Sequence, residues 1–127
     1  MRTHIKSEIG VADDGFAISI GLAGLYEGVR REMILQAAKE EPDDQDIRLG
    51  LVGLYAEYDG VGAYGVVEKI FVENSRVRII LDPAKISAER YSIEAEIAFE
   101  FLDALNSEIL VTFAGMCSTC GVTFKRS

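Results

Sequence analysis

The sequence predicts an α+β fold, a mostly antiparallel β-sheet packed against one C-terminal helix, and three observations carry that prediction. Period-two alternation of apolar and small or polar residues runs through Phe16 to Leu22 and again through Tyr91 to Phe101. Two apolar runs, Val66 to Glu73 and Arg76 to Asp82, flank the pair Asn74-Ser75, and Asn tolerates the left-handed backbone of a tight hairpin. Between Leu102 and Phe113 the period then changes to three and four, which suits an amphipathic helix lying on the apolar face of a sheet.

Taken in order, Met1 to Ile9 is short and mixed, and His4-Ile5 reads as an edge strand. Asp13-Asp14-Gly15 is a turn signal. In the strand Phe16 to Leu22, Phe16, Ile18, Ile20 and Leu22 form the buried face, opposite a face of small residues. Gly24 to Gly28 reads as loop. Arg30 to Glu41 is ambiguous: its composition favours helix, whereas Met33, Leu35 and Ala37 alternate as in a strand. Glu40 to Asp46 carries five carboxylates around Pro42 and reads as a solvated connection or a contact for a cationic partner.

Leu54 to Tyr58 is the next strand, with Leu54, Ala56 and Tyr58 on one face and Tyr55, Glu57 and Asp59 on the other. Asp59-Gly60 is a turn signal, and Gly60 to Gly65 reads as a glycine-rich connection or bulge. The Asn74-Ser75 hairpin sets Val72 opposite Val77, Ile70 opposite Ile79 and Glu68 opposite Leu81, with Glu73 opposite Arg76 on the other face. Glu68 alone is out of place in that register.

Asp82 before Pro83 is a good helix start, predicting one or two turns through Arg90. In the strand Tyr91 to Phe101, Tyr91, Ile93, Ala95, Ile97, Phe99 and Phe101 share one face. The helix from Leu102 to Phe113 is expected to end at Gly115. Val122 to Lys125 is a last short strand.

At 127 residues the chain has the length of a single domain, 1–127. Its composition, 49% apolar and 27% charged, fits neither a disordered nor a membrane-embedded chain. The longest apolar runs fall short of a membrane span. No secretory signal is visible, so the expected location is cytoplasmic. A formal net charge of −8 repels phosphate backbones, which argues against direct nucleic-acid binding; it either attracts a basic partner or, the plainer reading of the charge taken alone, simply keeps the chain soluble.

Chemistry-bearing motifs are incomplete. Gly60 to Gly65 spells G-x-G-x-x-G, but a strand-like run follows where a dinucleotide site needs a helix N-terminus. Cys117 and Cys120 form a C-x-x-C, yet they come after the helix rather than opening it, and His4 is the only further nitrogen ligand for zinc. The lone histidine supports no Ser-His-Asp or Cys-His grouping. The reading is therefore not an enzyme, with no cofactor and no metal. The alternative is a small ligand-binding or redox/metal domain using Gly60 to Gly65 or the cysteine pair.

Several features resemble the immunity protein 10 family, bacterial proteins encoded beside polymorphic toxins. They are the M-I-L-Q run at Met33 to Gln36, D-D-Q-D at Asp43 to Asp46, and Y-A-E at Tyr55 to Glu57. Gly62, Tyr64, Gly65 and Glu68 and the strand Arg76 to Leu81 complete the set. The resemblance spans Met33 to Leu81 and excludes the C-x-x-C tail. It implies a mostly β fold, favours strand for Met33 to Ala38, and implies a partner: a cognate toxin encoded by the adjacent gene. The residues expected to bind the toxin are Glu40, Glu41, Asp43, Asp44, Asp46, Tyr55, Asp59 and Tyr64, because tyrosines anchor interfaces and clustered charge speeds encounter. A homodimer is left open.

Overall fold

The computed structural model describes residues 1–88 and 94–127. It is a mixed β-sheet with a C-terminal helix, the α+β class that the alternation and the late change of period predict. Among the described residues the strands are β1 (Arg2–Asp13), β2 (Ala17–Tyr26), β3 (Val29–Ala38), β4 (Tyr55–Tyr58), β5 (Val61–Tyr64), β6 (Val67–Glu73), β7 (Arg76–Leu81), β8 (Glu96–Glu100) and β9 (Thr123–Arg126). The helices are α1 (Asp44–Arg48), α2 (Pro83–Ala88) and α3 (Ser107–Cys120). The strands form one sheet in the order β5-β4-β3-β2-β1-β8-β7-β6-β9. Pairing is antiparallel except at β1/β8 and β6/β9, which are parallel.

The N-terminus corrects the first expectation: β1 is not an edge strand. It sits mid-sheet between β2 and β8, and its His4 is fully buried. The turn at Asp13 to Gly15 forms as expected. The amides of Phe16 and Ala17 donate to the Asp14 carboxylate at 2.8 and 2.9 Å, and Gly15 takes φ +90°. Phe16 lies outside β2 and is 82% exposed, whereas Ile20 and Leu22 are buried as the alternation requires.

Gly24 is strand rather than loop. β2 continues to Tyr26 and turns at Glu27-Gly28, both with positive φ, as a two-residue hairpin demands. Gly24 serves close approach instead: a Cβ there would fall 2.5 Å from Ser7 Oγ and 2.9 Å from His4 Cβ. Opposite it β1 bulges, with Lys6 at φ +49°. Two chains that close together leave no space for a side chain.

β3 settles the ambiguous segment as strand. Met33, Leu35 and Ala37 point into the core, so burial of one face overrides helix propensity. The acidic segment is not wholly loop, because Asp43 caps the short α1. Its side chain accepts from the Asp46 amide at 2.8 Å, and the Asp46 carboxylate accepts from the Asp43 amide at 3.1 Å.

Asp59 and Gly60, both at positive φ, turn β4 into β5, so the glycine-rich run is itself a strand. The β6/β7 register is the one the sequence predicts, Val72 to Val77 and Ile70 to Ile79, up to a bulge between Val67 and Lys69. There Val67 rather than Glu68 opposes Leu81, and Glu68 is exposed. The extra residue resolves the misplaced carboxylate by turning it to water.

Asp82 starts α2, accepting from the Ala84 amide at 3.0 Å. Ile97 and Phe99 of β8 are buried as expected, while Tyr91 and Ile93, expected on the same face, fall outside the described residues. The helix begins later than expected: Leu102 is 95% exposed, Asn106 caps by accepting from the Ile109 amide, and α3 runs through Gly115 to end at Gly121, φ +70°. Its buried stripe is Ile109, Phe113, Met116 and Cys117, spaced four, three and one. Those side chains and the inward residues of β2 to β8 form one core cluster. Fully burying Phe113 contributes about 1.5–3 kcal/mol of hydrophobic stabilisation. β9 then adds to β6.

Candidate functional site

The β4/β5 hairpin builds the clearest site. Its register sets Tyr55 opposite Tyr64 on the outer face of the sheet, with ring centroids 5.0 Å apart. Tyr55 lies over Gly62, where any Cβ would collide with the Tyr55 hydroxyl, so the glycine is what lets the ring lie flat. The Tyr55 hydroxyl donates to Glu57 at 2.8 Å, and this bond, together with partial burial, raises the phenol's pKa. Tyr55 thus stays protonated, a flat aromatic surface held by a neighbouring carboxylate.

The end of β3, the Lys39–Pro42 connection and α1 bring the acidic segment to this aromatic pair. Glu40, Glu41, Asp46, Tyr55 and Tyr64 line one depression of about 490 Å³, together with Phe16, Lys39 and Cys120. Five of the eight nominated residues are thereby brought together. Asp44 is exposed in the first turn of α1, and Asp43 is engaged as its cap. Asp59 stands apart at the far end of the hairpin, paired with Arg31 at 2.8 Å and accepting from the Glu32 amide at 3.1 Å. Its partners give it a turn-holding role that its place in the sequence did not reveal.

A second, shallower depression of about 710 Å³ runs over the outer faces of β1 to β4 and shares Gln36 and Tyr55 with the first. Its floor is Gly10, Ala12, Ser19, Gly21 and Ala23. The small-residue face of β2 was visible in the sequence. Its continuation onto β1 was not, because that depends on the pairing of Gly10 with Gly21.

The motifs of the alternative reading gain no support. Cys117 is buried, which pushes its thiol up to about 12, and burial also raises Cys120; a reactive thiol is shifted the other way. Both are free and lie at the C-terminal end of α3, where the helix dipole disfavours thiolate. Among the described residues no group of three or more His, Cys, Asp or Glu is arranged to hold a metal ion. Gly60 to Gly65 forms a hairpin, with no helix to receive a phosphate.

His4 is a core residue. Its Nδ1 lies 3.0 Å from the Ala98 carbonyl oxygen, which can only accept, so the proton sits on Nδ1 and Nε2 accepts from the Tyr58 hydroxyl at 2.8 Å. The ring stacks on Phe99 with centroids 4.3 Å apart. Burial, helped by the nearby Arg2 charge, lowers the imidazole's pKa. The Arg2 guanidinium lies over the Tyr26 and Tyr58 rings, 4.9 and 5.5 Å from their centroids.

Among the described residues no helix is long and apolar enough to cross a membrane. No curated protein and no solved structure matches the chain. The family model described as Immunity protein 10 matches residues 5–106, from within β1 to the residue that caps α3. The match is wider than the Met33 to Leu81 resemblance and leaves the cysteine pair outside it. With most of its length matched, the chain belongs to the immunity protein 10 family.

Proposed function

We propose that this chain is a cytoplasmic immunity protein, a single domain over 1–127, that binds a cognate bacterial polymorphic toxin and neutralises it by covering its active surface. It does so by association and not by catalysis. Family membership supports a toxin as partner. The observation that carries the choice of surface is the convergence of Tyr55 and Tyr64 with Glu40, Glu41 and Asp46 on one depression. Glu40 and Glu41 make no ion pair among the described residues, so their charge is available to a basic partner. Aromatic rings supply buried contact, and carboxylates at the rim speed encounter. An interface of about 1,600 Å² is the ordinary size for such a complex, larger than the depression alone, so neighbouring residues such as Asp43 and Asp44 join it.

The test is co-expression with the toxin domain encoded by the adjacent gene. The wild-type chain is expected to co-purify with it and restore growth. Glu40→Lys combined with Glu41→Lys should slow association by roughly tenfold at low salt, the effect fading as salt rises. Full protection by that double variant sinks the choice of surface. Failure of the wild-type chain to bind sinks the function.

A further inference from the structure

β1 is twelve residues long, but β8 covers only its first part. The parallel ladder consists of Arg2 with Ile97, Thr3 with Ala98 and His4 with Phe99, after which β8 ends at Glu100 and the chain leaves the sheet. Beyond the bulge at Lys6, β1 pairs regularly with β2 from Glu8 to Asp13. Among the described residues no strand pairs with the opposite side of that segment, and Gly10, Val11 and Ala12 are exposed. This edge is roughly 20 Å of straight strand. By contrast, the outermost strands β5 and β9 have only four residues each, and β9 carries Lys125 and Arg126. Short or charged edges are how sheets avoid adventitious pairing, and the middle of the β1 overhang, Ile9 to Ala12, carries no charge.

We infer that the free edge of β1 from Glu8 to Asp13 docks an extended segment of the toxin as an added strand, an inference that rests on the toxin-binding function proposed above. Backbone groups left unpaired on a regular strand fit one kind of partner, another strand. The side chains define its character. Ile9 and Val11 turn toward the inner face, where Val11 is 36% exposed, so the added strand places apolar side chains beside them. Glu8 turns to the outer face, its side chain 78% exposed and 3.8 Å from Arg30, with Glu57 lining the same depression. A Lys or Arg on the added strand opposite Glu8 completes the match.

A second copy of this chain is a poorer occupant. Antiparallel self-pairing across the whole segment sets Glu8 against Asp13 of the other copy, and each copy carries a charge of −8.

Two proline variants test the inference. In an antiparallel ladder neighbouring residues alternate, one directing its N–H toward β2 and the next toward the open side. Of Gly10→Pro and Val11→Pro, one therefore loses a β2 hydrogen bond and is destabilised, while the other loses only the free donor and stays folded by circular dichroism. The folded variant is expected to bind the neighbouring gene's toxin domain roughly tenfold or more weakly, the loss one hydrogen bond carries. Amides of Glu8 to Asp13 are expected to gain hydrogen-exchange protection in the wild-type complex. Wild-type affinity in the folded variant, with those amides unprotected in a complex that does form, overturns the strand docking and leaves the toxin-binding function standing. No complex with the wild-type chain overturns both. A stable dimer of the free chain that the folded proline variant dissociates replaces the toxin by a second copy as occupant.

Discussion

The outer face of the sheet has two halves built on opposite plans. Over β6, β7 and β8 it is closed by charge. Arg78 reaches Glu96 at 2.7 Å and Glu73 at 2.8 Å and lies over Phe71, and Arg76 approaches Glu100 at 3.9 Å. Beneath this lattice Ala98 is fully buried. Over β1 to β4 the face is open: a Cβ added at Gly10 or Gly21 would meet nothing within 4 Å, and Ile34 is 38% exposed. One half satisfies its charges internally. The other leaves backbone, tyrosine and carboxylate available, which is what a binding face needs.

The contrast can be broken or sharpened in order of size. Gly24→Val is the most damaging single change expected, at least about 2–3 kcal/mol in chemical unfolding, because the new side chain would meet Ser7 Oγ, His4 Cβ and the Ile5 carbonyl oxygen of β1 at 2.5, 2.9 and 3.2 Å. A loss under about 1 kcal/mol would mean that β1 and β2 can part there and that the open half is not rigid.

Next comes pH. The folded state holds His4 neutral below its ordinary value of 6.5, whereas the unfolded chain takes up a proton at that value. Stability is then complete above pH 6.5 and falls as pH drops below it. Denaturant midpoints between pH 5 and 7.5 should show this slope in the wild type and not in His4→Gln. An unchanged slope in the variant would assign the effect to another group.

Arg78→Met dismantles the charged half, but its partners are about a third exposed, so about 1 kcal/mol or less should be lost and toxin binding should be unaffected. The smallest effect is expected at Gly21→Ala, which adds a methyl group to open space. Its stability should change by no more than about 0.5 kcal/mol, in either direction. A larger loss by thermal melting would show the open half to be filled.

Much of this was legible from residue order alone. The β6/β7 register followed from apolar pairing and an Asn turn, and it failed only at Glu68, where one extra residue shifts the faces. Asp82 and the fate of Met33, Leu35 and Ala37 were likewise local matters, helped by the family resemblance. What escaped was non-local. The mid-sheet position of β1 depends on a strand whose partners lie over 90 residues away, and no periodicity within Met1 to Ile9 encodes it. Gly24 and Gly62 look like turn residues until their cross-strand neighbours are known. The start of α3 was misread because Leu102 and Leu105 fit its period, although Asn106 is the cap. At the candidate site, composition named the acidic segment and the tyrosines, five of which the fold brings to one depression, but could not separate Asp59, which is held by Arg31.

The bond between His4 and the Ala98 carbonyl spans 94 positions of chain. Contacts of that separation must be found by diffusion of a long loop, which places folding toward the slow end for domains of this size. During synthesis β1 therefore waits, with only its β2 side satisfied, until β8 has left the ribosome. Over that interval the unpaired edge of β1 is longer than in the finished molecule.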